Sequence, residues 1–265
     1  MDLVSYRIHY TCVSHPGKVR QINQDNFICN GQYMPLANND ISFPLQGSCN
    51  VSDSPLFGVF DGMGGEQHGE VAALIAARHA AVLTPHRDGI ETLRFFCQKA
   101  NHFICNYSVE KGVTSTGTTA AMLLFTKKNL CLCNIGDSRI FRFREGTLEQ
   151  LSVDHLCVAP FGVKPPLSQN LGISPKEMRI DPYFQKFSYS PEDLYLICSD
   201  GLTDMVTNEK ISEILSSAPL DSATTQLLDL ALENGGKDNT TLILCRIEKE
   251  SQWPFFKKTN GKREE

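Results

Sequence analysis

Four apolar runs in this chain border an acidic, glycine-rich turn. Phe60 leads into Asp61, Gly62, Met63, Gly64 and Gly65, and Ile135 leads into Gly136, Asp137 and Ser138. Cys198 leads into Ser199, Asp200 and Gly201, while Gly235, Gly236, Lys237, Asp238 and Asn239 precede the apolar stretch that starts at Thr240. A carboxylate at a strand end sits on a rigid scaffold and faces a loop. Glycine beside it lets the backbone approach a ligand and expose its own carbonyl. One Asp-Gly turn is ordinary. Four at strand ends, with no His or Cys ligand spacing nearby, constrain the fold more. If they converge they repel one another unless a hard cation such as Mg²⁺ or Mn²⁺ lies among them. The sequence alone leaves that convergence open.

Strands are expected at Leu56–Phe60, Thr118–Phe125, Leu130–Ile135, Arg139–Phe143, Leu194–Cys198 and Thr240–Ile247. Phe141 and Phe143 alternate with Arg142 and Arg144, the period of a sheet with a buried face. Glu145-Gly146 turns that strand into Leu148–Leu151 as a hairpin. Helices are expected over His68–Leu83, Ile90–Tyr107, Asn208–Ser216 and Ser222–Asn234, the last stopped by Gly235-Gly236. Adjacent hairpins favour antiparallel sheets over a doubly wound parallel one. Gly31–Ser54 reads as an extended loop, and Pro160–Pro175 as a proline-rich one. One domain is expected over residues 1–248, followed by a charged, loosely docked tail at 249–265 that holds the single Trp, Trp253.

With 265 residues the chain can bury a full core without disulfides. Its 10 cysteines form no C-x-x-C pair, and most of them read as reduced, buried small hydrophobes. A net charge of −5 argues against nucleic-acid binding, which needs clustered Lys and Arg. No apolar run approaches the roughly 20 residues that span a bilayer, and the N-terminus lacks the pattern of a signal peptide. The expectation is a cytoplasmic monomer that binds neither nucleic acid nor membrane.

Seven segments together resemble the PP2C family of metal-dependent protein phosphatases, in its bacterial branch. They are Val19-Arg20 with Asn23-Gln24-Asp25; Phe57 to Gly65; Gly117 to Ala120; Asn134 to Arg139; Asp154-His155; Ile197 to Asp204; and Lys237 to Thr241. They occur in the family's order from about Arg20 to Ile247. The resemblance implies an α+β fold: a four-layer α-β-β-α sandwich of two antiparallel sheets flanked by helices, with metals in a cleft at one end. It implies two Mn²⁺ or Mg²⁺ ions and a further, weaker one. Asp61 would bridge the two ions, the Gly62 carbonyl would bind one, and Asp200 and Asp238 would bind the other. Asp25 would hold water of the metal shell, Asp137 would serve the weaker ion, and Arg20 would clamp the phosphate through its planar fork. The implied activity is hydrolysis of phosphoserine and phosphothreonine in proteins, targets of a Ser/Thr kinase, by direct attack of water. A pseudo-phosphatase binding module and a phosphatase for small phosphoesters are the alternatives.

The chain departs from the family pattern in places. Met63 stands where the eukaryotic branch has a His, which leaves the leaving-group acid to water of the metal shell. Glu66 stands where bacterial members carry His, and His68 reads as a helix-start residue. Asp204 reads as support for the Asp200 turn, and His155 as structural. The flap segment after Asp154-His155, residues 156–170, is shortened and rich in proline, which bears on substrate selection and on the Asp137 ion.

Overall fold

The computed structural model describes residues 5–35, 40–63, 68–85, 88–113 and 116–250. The tail expected from 249 onward, Trp253 included, lies outside these residues beyond Glu250, as do Gly64, Gly65 and Glu66. In chain order the elements are β1 (Tyr6–His15), β2 (Asn26–Cys29), β3 (Ile41–Asn50), β4 (Leu56–Phe60), β5 (Gly62–Met63), α1 (Gly69–Ala81) and α2 (Gly89–Lys111). Then come β6 (Gly117–Thr118), β7 (Ala120–Phe125), β8 (Leu130–Ile135), β9 (Arg139–Arg144), β10 (Thr147–Gln150) and β11 (Tyr183–Phe187). The last are β12 (Leu194–Cys198), α3 (Asp200–Thr203), α4 (Asn208–Ser217), α5 (Leu220–Glu233) and β13 (Thr240–Lys249).

Two antiparallel sheets form the centre. One runs β10-β9-β12-β13-β1-β3 and the other β11-β8-β7-β4-β2, with β5 and β6 paired separately. Between them lies a core built from Ile8, Tyr10, Phe57, Val59, Leu123, Phe125, Tyr195, Ile197, Ile243 and Cys245. The outer faces are equally apolar. Phe60, Met122, Leu124 and Ile135 pack under α1 and α2, while Leu194, Leu196, Leu242 and Leu244 pack under α4 and α5. Because both faces of each central strand are covered, β4, β7, β8 and β12 are buried at every position. They therefore read in sequence as unbroken apolar runs rather than alternations. The expected four-layer sandwich is what forms.

The boundaries follow local chemistry. Asp88 caps α2 by accepting a bond from the Ile90 amide, and Gly112 ends it at φ +66. The Gly236 amide reaches back to the Ala231 carbonyl at 3.0 Å and closes α5 as expected. Glu145 (φ +51) and Gly146 (φ +79) make the tight turn of the β9–β10 hairpin.

Two expectations need correction. Gly31–Ser54 is not one extended loop, because Ile41–Asn50 forms β3, an edge strand paired with β1 through a bulge between Cys12 and Ser14. Pro44 and Gly47 lie within it, and an edge strand tolerates both. Tyr6–His15, where no strand was expected, forms β1, while all ten cysteines are free thiols and most are buried, as expected. The 160–175 segment carries no helix or extended strand, as expected.

Candidate active site

Asp61, Asp137, Asp200 and Asp238 reach one end of the sandwich from four strand ends. In one sheet β4 and β8 both pair antiparallel with β7, so their C-terminal ends, leading to Asp61 and Asp137, lie on the same side. In the other sheet β12 and β13 are antiparallel neighbours, so the end of β12 (Asp200) meets the start of β13 (Asp238). Asp61, Asp137 and Asp200 each offer a carboxylate oxygen within 4.8 Å of the other two.

A polar frame holds the Asp61 backbone, the buried Asp25 carboxylate and the Asp238 turn. The Asp61 amide donates to Thr119 Oγ1 (3.0 Å), and its carbonyl accepts from the Thr119 amide (2.9 Å) and Thr118 Oγ1 (2.9 Å). Asp25, buried behind the cluster, accepts from Ser199 Oγ at 2.8 Å, and the Thr241 amide donates to that same Ser199 oxygen at 2.9 Å. Asn239 joins the Asp238 turn to the Arg20 loop. Its Oδ1 accepts from the Gln24 amide (2.8 Å), and its Nδ2 donates to the carbonyls of Pro16 (2.9 Å) and Ile22 (2.8 Å). Gly62 leaves no space for a side chain, because a Cβ there would strike the carbonyl oxygens of Gly69 and Gln24.

The electrostatics are those of crowded carboxylates. Burial, with the charges of Asp25, Asp200, Asp137 and Asp238 added, pushes Asp61 well above the usual carboxylate range. Burial lifts Asp25 to about 7 despite hydrogen bonds from Thr241 and Ser199, and lifts Asp137 to about 6 with help from Asp200. Asp25 Oδ1 is buried with no hydrogen-bond partner. An oxygen-only donor set, a buried oxygen without a partner and mutual repulsion are what a divalent cation resolves, so these residues fit Mn²⁺ or Mg²⁺.

The expected residues occupy three positions. Asp61, Asp137 and Asp200 form the tight group, each with a carboxylate oxygen within 4.8 Å of the others. Asp238 lies to one side, where its Oδ2 accepts from Arg20 Nη2 at 2.7 Å. The expected phosphate clamp is therefore tied to a ligand carboxylate. The Asp204 amide bonds the Asp200 carbonyl at 2.8 Å, a backbone bond independent of its side chain, and its carboxylate accepts from Lys164 Nζ at 2.7 Å. His68 precedes α1 with its Nδ1 2.7 Å from the Tyr107 hydroxyl, and the His155 amide bonds the Gly136 carbonyl at 3.0 Å. Both roles are structural.

Lys164 went unpredicted. Its Nζ donates to Asp200 Oδ2 and, at 2.7 Å, to Asp204 Oδ2. It is the single charged residue between Leu156 and Asn170, a signal visible in the sequence. A cleft of about 390 Å³ between α2 and the 175–184 segment includes none of these carboxylates, so cavity size does not mark the site.

The chain resembles known proteins in both sequence and fold. The chain matches the sequence profile of protein phosphatase 2C over residues 38–242. It is 31% identical over 220 residues to the serine/threonine phosphatase stp of Listeria monocytogenes, covering 74% of this chain and 85% of that one. It is 28% identical over 267 residues to the serine/threonine protein phosphatase PstP of Mycobacterium tuberculosis, covering 93% of this chain but 46% of PstP, so it spans about half the length of that relative. The solved catalytic domain of PstP in complex with two manganese ions superposes with a TM-score of 0.74 at 27% identity, over 92% of this chain and 99% of that one. PppA of Pseudomonas aeruginosa, at 24% identity and a TM-score of 0.75, shares the fold. The chain belongs to the protein phosphatase 2C family.

Proposed function

We propose that this chain is a metal-dependent protein serine/threonine phosphatase, acting on phosphoserine and phosphothreonine placed by a protein kinase. The observation that carries the reading is the convergence of Asp61, Asp137 and Asp200 within 4.8 Å at one end of the sandwich. Asp61, Asp200, Asp238 and the Gly62 carbonyl would hold two Mn²⁺ or Mg²⁺ ions. Such a pair lowers the pKa of a water and neutralises charge developing on the phosphoryl oxygens, so that water can attack phosphorus in line.

The chain's own residues set the geometry. Asp25 is fixed by Ser199 through Oδ2, which leaves Oδ1 to orient water from behind the ligands. Arg20 is 49% exposed while one terminal nitrogen holds Asp238, so the rest of its fork is accessible to a phosphate oxygen. Met63 contributes no proton, so water held at the site would supply the one that the leaving group needs. Ten free cysteines suit a reducing, cytoplasmic setting.

The test is hydrolysis of p-nitrophenyl phosphate with Mn²⁺, Mg²⁺ or chelator, repeated with Asp61→Asn and Asp200→Asn. Turnover that needs metal and is lost in both variants supports the reading. Folded, metal-loaded protein without turnover overturns it in favour of a binding module. A phosphothreonine peptide turned over more slowly than free sugar phosphates would overturn the protein-substrate assignment.

A further inference from the structure

The carboxylates at the Asp200–Asp204 side of the cluster already have a cation, and the chain supplies it. Lys164 Nζ bonds both Asp200 Oδ2 and Asp204 Oδ2. Asp200 is mostly shielded, its side chain 13% exposed, so this ammonium is more than a partner for a loose surface charge.

Lys164 is delivered by a constrained arm. Pro165 and Pro166 follow it, and a residue before proline is held to extended backbone. The segment closes on itself through a bridge between Leu156 and Leu167 and a 2.9 Å bond from the Cys157 amide to the Pro166 carbonyl. At its tip, the Val163 amide reaches the Pro160 carbonyl at 3.1 Å around Gly162 at φ +81. Both legs are fastened beside the carboxylates. The His155 amide bonds the carbonyl of Gly136, next to Asp137. Leu171 exchanges two 2.9 Å backbone bonds with Thr118, whose hydroxyl holds the Asp61 carbonyl.

We propose that the Lys164 ammonium is the resident cation of the Asp200–Asp204 side of the cluster and excludes a further divalent ion from that position. The proposal rests on the metal-binding reading above. A tethered group competes at an effective concentration in the millimolar range or above. An incoming ion must break both Lys164 contacts to enter, and divalent sites of modest charge and rigidity bind at only roughly 10⁻⁴–10⁻³ M. The two ions expected at Asp61, Gly62, Asp200 and Asp238 are then the full complement. Asp137, otherwise placed to share a third ion with Asp200, is left to orient solvent.

The test counts Mn²⁺ by isothermal titration calorimetry, with bound ion measured separately by electron paramagnetic resonance. The full chain is compared with Lys164→Gln, Lys164→Arg and the double variant Lys164→Gln/Asp204→Asn, after thermal melts confirm folding. The expected result is two Mn²⁺ in the parent and three in Lys164→Gln, the added one in the roughly millimolar range. Lys164→Arg and the double variant should return to two. A parent that binds three ions, or a Lys164→Gln protein that binds only two, overturns the proposal while leaving the metal-dependent reading intact. A folded parent that binds no Mn²⁺ overturns both.

Discussion

The two sides of the active site are built on different plans. On one side, Asp61, Asp200 and Asp238 emerge from buried strands, and their turns interlock through Asn239, Ser199 and Thr119. On the other, residues 156–170 form a loop whose Val158 and Phe161 are fully exposed, and whose reach to the cluster is one lysine side chain. The first plan fixes where the proposed cations and phosphate would lie. The second leaves its surface open to change without disturbing that geometry. Placing chemistry on the sheets and variation on a loop separates two demands that conflict when they share residues.

The largest effect should come from the rigid side. Asp61→Asn and Asp200→Asn should each lower metal-dependent hydrolysis of p-nitrophenyl phosphate by at least about 10³-fold, because several kcal/mol of transition-state charge stabilisation is lost. A drop of less than tenfold would mean that the carboxylates matter no more than the loop. Next, Gly62→Ala forces a Cβ against two carbonyl oxygens. Overpacking of this kind costs about 1–3 kcal/mol, or roughly 2–10 °C in melting temperature for a domain of this size, measured by calorimetry.

A smaller effect is pH-dependent. Asp25 and Asp137 have folded-state values of about 7 and about 6, above the 3.8 of an ordinary Asp. The folded protein therefore holds protons that the unfolded chain has released, and stability falls as pH rises through that interval. Without metal, the melting temperature should drop between about pH 4 and about pH 7 and level off above it, and Asp25→Asn should remove much of that drop. An unchanged slope in Asp25→Asn would show that the buried carboxylate is not its source. The smallest effect belongs to the loop. Phe161→Ser should change unfolding free energy by no more than about 0.5 kcal/mol in a denaturant titration. A larger loss would show that the loop is a structural part of the site.

The sequence was legible where burial is two-sided. Leu194–Cys198 could be read to the residue because every position is apolar. It was illegible in Ile41–Asn50, where Pro44, Gly47 and several polar residues suit an edge strand and read as a loop. β1 was missed because Arg7 and His9 interrupt its inward row of Ile8, Tyr10 and Cys12. The acidic turns announced the site, but their convergence came from strand order, which no local pattern encodes. Asn239 and Ser199 are small polar residues whose importance lies in partners 215 and 174 positions away, respectively. Lys164 was readable in principle as a lone charge in a neutral, proline-rich stretch, but its target was not.

The pairing of β1 with β13 has a consequence for synthesis. Ser14 meets Thr241 across a separation of 227 positions. At about 5–20 residues per second, β1 waits on the order of ten to fifty seconds for the strand that joins it to β12. Asp238 and Asn239 arrive immediately ahead of that strand. The ribosome therefore delivers the last of the proposed metal ligands and the last piece of the six-stranded sheet together, and a nascent chain that still lacks its sheet also lacks the full proposed ligand set.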